Sequence, residues 1–309
     1  MRKALNIFQP GKQPLRQAGP RPSLAAMPSP LASFDLYGDT MPASPVVLSV
    51  PHAGRDYPLV MRAALRVQPS ALILLEDRHA DTLALAARRR ESAIVQRRPR
   101  AWIDLNRSEQ ERDPAIDAGV QRTGMPIASA RLRSGLGLVP RRAGAINDIW
   151  RRKLDAEEVQ ARIEHDHRPY HARLAEMLAA AHARFGVAVL LDIHSMPPLA
   201  TGDARLVIGD RFGRTAPARL IARIEAEAMA SDTPSALNAP YSGGHVIETH
   251  ARPDSGIHAI QLEFDRALYL DEKLEEPGEG LTAAAALLRR IIDAVADEAL
   301  SSALPLAAE

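Results

Sequence analysis

Short, largely apolar runs, separated by long Ala/Arg/Glu segments, constrain the fold of this chain more than any other feature. The runs are Val46 to Val50, Ala93 to Val95, Ala101 to Leu105, Val187 to Leu191, Leu206 to Ile208 and Ala259 to Phe264. Lacking strict apolar/polar alternation, they suit strands buried on both faces of a mostly parallel sheet, and the segments between them suit covering helices. The clearest helix spans about 155–185: Asp155 can cap it with Glu158 three residues on, Pro169 should kink or split it, and Gly186 ends it. A second helix, over about 282–299, closes the chain, and the irregular, glycine-containing stretch 108–150 suggests a loop or subdomain around a site. No internal repeat and no later boundary appear, so a single α/β domain is expected over 35–309. Residues 1–34, rich in Pro, Gly, Gln and Ser, read as a flexible extension whose ordering entropy burial does not offset.

Composition then limits the chemistry. Lys plus Arg total 39 against 38 for Asp plus Glu, and only 4% of residues are aromatic. Neither the charge nor an aromatic-interleaved basic face points to nucleic acid or a membrane, so a small-molecule partner is expected. Thirty-five of the basic residues are arginines, so a role for any one of them needs a positional argument. With no cysteine, disulfides, thiolate nucleophiles and Cys-based zinc sites are excluded; a transition metal must rest on His, Asp and Glu. No run approaches the roughly 18 apolar residues of a membrane span, and the N-terminus lacks a secretory apolar segment, so a cytoplasmic location is expected.

In open parallel sheets, ligands bind beyond the carboxyl ends of the strands. After the apolar runs come Pro51-His52-Ala53-Gly54, then Asn106-Arg107, then Asp192-Ile193-His194-Ser195, with Glu263 near the end of its own run. Metal-type or charged side chains thus arrive together at one sheet edge. Two histidines and a carboxylate, with a position open for water, make a cysteine-free catalytic zinc site, and His52 and His194 are the natural pair. His165, His167, His171 and His182 fall on the long helix, where solvent exposure or packing is expected. His245, His250 and His258 lie in or beside the Gly243-Gly244 loop and could touch substrate. For the third ligand, Glu76, Asp77 and Asp81 precede a helix that they could equally cap, so the residues alone leave it undetermined.

VPHAGRDYP (50–58), EDRHADTLA (76–84), WIDLNR (102–107), GLGLVPR (135–141), DIHSMPP (192–198), YSGGH (241–245) and LEFDRALYLDE (262–272) together resemble the N-formylglutamate amidohydrolase family, over roughly residues 45–275. That family is similar in turn to the zinc carboxypeptidases and aspartoacylases. The resemblance implies a mixed-sheet α/β fold and a site in the chain order His, acid, Asn-Arg, His, Glu. Here the order is His52, Asp77 (or Glu76), Asn106 with Arg107, His194, Glu263. Carboxypeptidases place the acid three residues after the first His, where this chain has Arg55, so the carboxylate comes from further on. Asp77 fits the family's D-x-H-x-D pattern, with Asp56 and Glu76 in reserve. One zinc ion on His52, Asp77 and His194 is implied, lowering the pKa of its water toward roughly 7. Glu263 is then the general base, Arg107 a bidentate carboxylate clamp oriented by Asn106, and Arg141 a contact for a second carboxylate. The implied reaction is N-formyl-L-glutamate to formate and glutamate, in histidine degradation. An enzyme for another N-acyl amino acid or dicarboxylic acid amide would keep the same residues. A non-catalytic carboxylate-binding relative would have lost a metal or base position, and none is lost.

Overall fold

The computed structural model describes residues 32–39, 41–120, 129–200 and 203–303. Its strands are β1 (Phe34–Tyr37), β2 (Val46–Val50), β3 (Ser92–Gln96), β4 (Ala188–Met196), β5 (Leu206–Gly209), β6 (Ser235–Leu237) and β7 (Ile257–Asp265). They form one seven-stranded mixed sheet in the order β1-β3-β2-β4-β7-β5-β6. The central strands β3, β2, β4 and β7 are parallel. β1 runs antiparallel to β3 and β5 antiparallel to β7, while β6 follows β5 in parallel.

Two differences from the sequence expectation stand out. Ala101 to Leu105 is not a strand: the Trp102 N–H closes a turn onto the Pro99 carbonyl at 2.8 Å. Ala101, Ile103 and Leu105 are buried all the same, so here apolarity marks burial rather than pairing. The second difference is β1, where Phe34 pairs with Gln96 and the Arg97 N–H donates to the Ser33 carbonyl at 2.8 Å. The folded unit therefore starts inside the expected extension; the rest of that extension, 1–31, lies outside the described residues.

The helices are α1 (Leu59–Ala64), α2 (Ala80–Ala87), α3 (Ala130–Arg133), α4 (Ala156–Arg162), α5 (Arg168–Phe185), α6 (Ala218–Met229), α7 (His245–His250) and α8 (Leu281–Ala303). One core layer joins Leu48, Leu191 and Leu262 to α2, α6 and α8. The other joins Val47, Leu190 and Ala259 to α5, α7 and the loop residues Ile103, Leu105 and Val139. The same strands feed both layers, which is why their runs are apolar at most positions on both faces. Each such leucine contributes about 1.5–3 kcal/mol of apolar transfer. Among the described residues, no helix is long and apolar enough to cross a membrane.

The long helical segment opens with the expected capping box, the Asp155 N–H donating to Glu158 Oε2 at 2.8 Å. The split expected at Pro169 is a π-helical turn, Ile163–His167, leading directly into α5. Proline has no N–H for the carbonyl four residues back, and the wider turn accommodates that loss. It also carries Asp166 and His167 into the interior.

The sheet prepares the site by a change of polarity along one face. Leu190 and Ala259 belong to the α5-side core, so the residues two and four further on, Asp192 and His194 in β4 and Gln261 and Glu263 in β7, share that face. Register aligns His194 with Glu263 and Asp192 with Gln261. Strand hydrogen bonding thus continues past the apolar runs and supports a polar floor at their carboxyl ends.

Candidate active site

His52 lies just beyond β2, and the Asp77 N–H donates to its carbonyl at 3.0 Å, tying the loop before α2 to the loop after β2. Asp77 Oδ2 then faces both imidazoles, 2.8 Å from His194 Nδ1 and 3.4 Å from His52 Nδ1. The ring centroids are 4.8 Å apart. All three residues are buried, with exposures of 1% for His52, 4% for Asp77 and 2% for His194. The reserve acids are elsewhere: Glu76 accepts from Tyr57 and Arg78, and Asp56 pairs with Arg98 at 2.8 Å.

Each imidazole has a carboxylate behind it. His52 Nε2 donates to Asp104 Oδ1 and His194 Nε2 to Asp192 Oδ2, both at 2.8 Å. That arrangement directs the Nδ1 lone pairs toward Asp77, as outer carboxylates do for metal-bound histidines. His52 Nδ1 is buried and lacks a hydrogen-bond partner. Such an unmet atom costs about 1–3 kcal/mol, and a cation among His52, Asp77 and His194 would remove the deficit. Two imidazoles and a carboxylate fit a divalent transition ion. Burial opposes ionisation of Asp77, but the adjoining His194 and His52 imidazoles outweigh it and hold the carboxyl well below the usual range. Asp104 is likewise buried, yet the Arg100 and Arg107 charges keep it ionised.

Asp104 and Asp192 were not singled out by the sequence argument. Asp192 carried a usable signal, since it stands two residues before His194 on the same face of a strand. Asp104 sits in an irregular turn without any comparable mark. Further hydrogen bonds hold both: Asp192 Oδ1 accepts from Ser49 Oγ at 2.7 Å, and Asp104 accepts from Arg100 Nε and the Asn106 N–H, each at 2.9 Å.

Glu263 lines the same cavity, and burial pushes its carboxyl up to about 7 against the lowering influence of His194. Its orientation is set by a chain of amides. The Val246 N–H donates to Asn106 Oδ1 at 2.9 Å, Asn106 Nδ2 donates to Gln261 Oε1 at 3.2 Å, and Gln261 Nε2 donates to Glu263 Oε1 at 2.8 Å. The backbone donor fixes the Asn106 amide, and the direction of every later bond follows. Gly244 makes this possible, because a Cβ there would lie 2.3 Å from Asn106 Oδ1. The Asn106 side chain therefore serves Gln261, and it meets Arg107 only through its backbone carbonyl.

The cavity, of about 420 Å³, is lined by His52, Asp77, His194 and Glu263 together with Arg100, Arg107, Arg131, Arg142 and Arg266. Arg107 gives Nε to the Leu136 carbonyl at 2.8 Å and Nη1 to the Asn106 carbonyl at 2.6 Å, so part of the expected clamp is already engaged. Burial lowers its pKa to about 10, which leaves it charged at neutral pH. Arg141 is not among the lining residues; it pairs with Asp113 at 2.9 Å, and its neighbour Arg142 faces the cavity instead.

Histidines 167, 171, 245 and 250 form a second cluster behind the site. His167 Nε2 donates to the Arg107 carbonyl at 2.8 Å and His171 Nε2 to the Leu105 carbonyl at 2.9 Å, while His171 Nδ1 accepts from His250 at 2.9 Å. They brace the turn that presents Asn106. Burial holds His171 well below its ordinary pKa and His250 at about 4, so the cluster is neutral. His245, His250 and His258 are not among the described residues lining the cavity.

Residues 44–270 match the family model described as N-formylglutamate amidohydrolase. The chain is 29% identical over 240 residues to the N-formylglutamate deformylase of Pseudomonas aeruginosa, covering 74% of this chain and 83% of that protein. It is also 29% identical over 238 residues to that of Pseudomonas putida, covering 74% and 82%. Its fold is similar to the crystal structure of N-formylglutamate amidohydrolase from Ralstonia eutropha, with a TM-score of 0.76 and 33% identity over 88% of this chain and 98% of that one.

Proposed function

The chain belongs to the N-formylglutamate amidohydrolase family, and from that premise we propose that it hydrolyses N-formyl-L-glutamate to formate and L-glutamate using one zinc ion held by His52, Asp77 and His194. The observation that carries this reading is Asp77 Oδ2 facing both imidazole Nδ1 atoms, beside a strand whose register brings Glu263 opposite His194. A zinc ion in that position supplies Lewis-acid polarisation of the formyl carbonyl and acidifies the attacking water.

The protein's own groups divide the remaining work. Glu263 has Oε1 committed to Gln261, so Oε2 is the oxygen that takes a proton from the attacking water. As the formyl C–N bond breaks, that proton passes to the departing amine, and the water oxygen stays on formate. Asp104 and Asp192 hold the ligand imidazoles in one tautomer. Arg107 meets the substrate α-carboxylate through Nη2 and the second hydrogen of Nη1, the donors its backbone bonds leave free. The reaction belongs to histidine degradation in the cytoplasm.

The test is formate release from N-formyl-L-glutamate by zinc-loaded protein, compared across a panel of N-formyl and N-acetyl amino acids. A rate no higher than that of the His194→Ala protein on every substrate would overturn the reading.

A further inference from the structure

The five guanidiniums around the cavity are not equivalent. Arg100 is paired with Asp104 at 2.9 Å, and Arg107 is held by two backbone carbonyls. Arg266 donates to Ser195 Oγ at 3.1 Å and to the Glu76 carbonyl, and lies 3.5 Å from Asp77. These three are fixed by the protein. Arg131 and Arg142 make no ion pair or side-chain hydrogen bond with any described residue. Arg142 Nε is moreover a buried donor without a partner, an arrangement that costs about 1–3 kcal/mol until an acceptor arrives.

The fold seats Arg142 deliberately. Gly135 has φ +80°, and a Cβ on it would lie 2.9 Å from both Cγ and Cδ of Arg142. Glycine therefore provides both the left-handed turn and the space in which the arginine stem lies. Among the described residues, only two carboxylates, Asp77 and Glu263, line the cavity against the five guanidiniums, leaving an excess of positive charge before any metal is counted. A ligand with a single carboxylate would engage Arg107 and leave the other two cations unmatched.

We propose that Arg142, assisted by Arg131, forms a second carboxylate subsite, which makes the protein selective for N-acyl derivatives of acidic amino acids over their neutral isosteres. This rests on the hydrolase reading given above and names the residues that choose its substrate. The planar fork of Arg142 suits the side-chain carboxylate, while Arg107 takes the α-carboxylate.

The experiment compares zinc-loaded wild-type protein with Arg142→Gln on N-formyl-L-glutamate and its neutral isostere N-formyl-L-glutamine. The substitution should lower kcat/KM for the glutamate substrate by about 10- to 150-fold, through KM, and change the glutamine substrate by less than about threefold. Arg142→Lys should fall between them, and Arg131→Gln should show the same selectivity at smaller size. Calorimetric titration with glutarate and with butyrate forms an arm that needs no turnover: glutarate binding should weaken in Arg142→Gln by a similar factor, butyrate binding should not. Equal losses for acid and amide, or unchanged glutarate binding in a variant whose melting temperature shows it folded, would overturn the subsite. An inactive wild-type protein that still prefers glutarate through Arg142 would instead overturn the hydrolase reading alone.

Discussion

Gln261 donates its side-chain N–H to Glu263 Oε1 at 2.8 Å, committing one oxygen of a buried carboxylate to the protein. The donor is itself held through Asn106 by the Val246 N–H, so the base is aimed by backbone geometry three hydrogen bonds away. Replacing Gln261 with Met keeps the volume and removes the bond. We expect kcat to fall by about 10-fold or more with zinc content unchanged. Glu263→Gln should cost about two to four powers of ten in kcat while retaining zinc. The two losses should not add, because Gln261 acts through Glu263; equal costs of Gln261→Met in both backgrounds would show a merely structural role.

The metal set is tested by stoichiometry. His52→Ala and His194→Ala should each abolish tightly bound zinc and turnover, and full zinc content in both would remove the site. Asp104→Asn and Asp192→Asn, which disturb only the groups behind the imidazoles, should weaken zinc affinity by about 10- to 100-fold, measured by competition with a chelator.

Acidity supplies a third prediction. A base is active when ionised, and burial pushes Glu263 up to about 7, so kcat/KM should fall as pH drops below its inflection. A cation nearby favours the carboxylate, placing that inflection at or below about 7 in the zinc-loaded protein. Gln261→Met removes a hydrogen bond to the charged form and should move the inflection upward. A profile identical to wild type would disconnect the two residues.

Arg107 and Arg141 should separate cleanly. Arg107→Lys retains charge but not the planar fork, so KM should rise, and the penalty should shrink when the substrate α-carboxylate is an amide. Arg141→Ala should leave KM unchanged, because Arg141 pairs with Asp113 rather than facing the cavity. Its effect belongs to stability, about 1 kcal/mol or less for a partly exposed pair, readable as a small fall in melting temperature.

His250 should make the fold acid-sensitive. Its pKa drops from an ordinary 6.5 to about 4 on burial, so between those values the unfolded chain binds a proton that the folded chain refuses. Stability should be full above about 6.5 and decline as pH falls toward about 4. His250→Gln should flatten that part of a melting-temperature profile, and an unchanged slope would place the acid sensitivity elsewhere.

Much of this protein was written locally. Strands β2, β4 and β7 followed from apolar runs, because burial on both faces requires them. The break before Pro169 followed from a missing N–H, and the absence of cysteine confined any metal to His, Asp and Glu. His52, His194 and Glu263 are expected at one sheet edge because strand topology carries chemistry to the carboxyl ends, and all three line the cavity there. What remained depended on contacts between distant segments. The third acid was open among Glu76, Asp77 and Asp56 until the fold set Asp77 beside His194, 117 residues away, and Asp104 joined His52 across 52 residues of irregular chain. The arginines were more hidden still: Arg141 and Arg142 are chemically identical neighbours whose stems both pass Gly135, and only the fold, which pairs Arg141 with Asp113, leaves Arg142 facing the cavity. Periodicity encodes which face of an element is buried, but it carries no information about where two loops close upon each other; that is decided by the packed sheet beneath them.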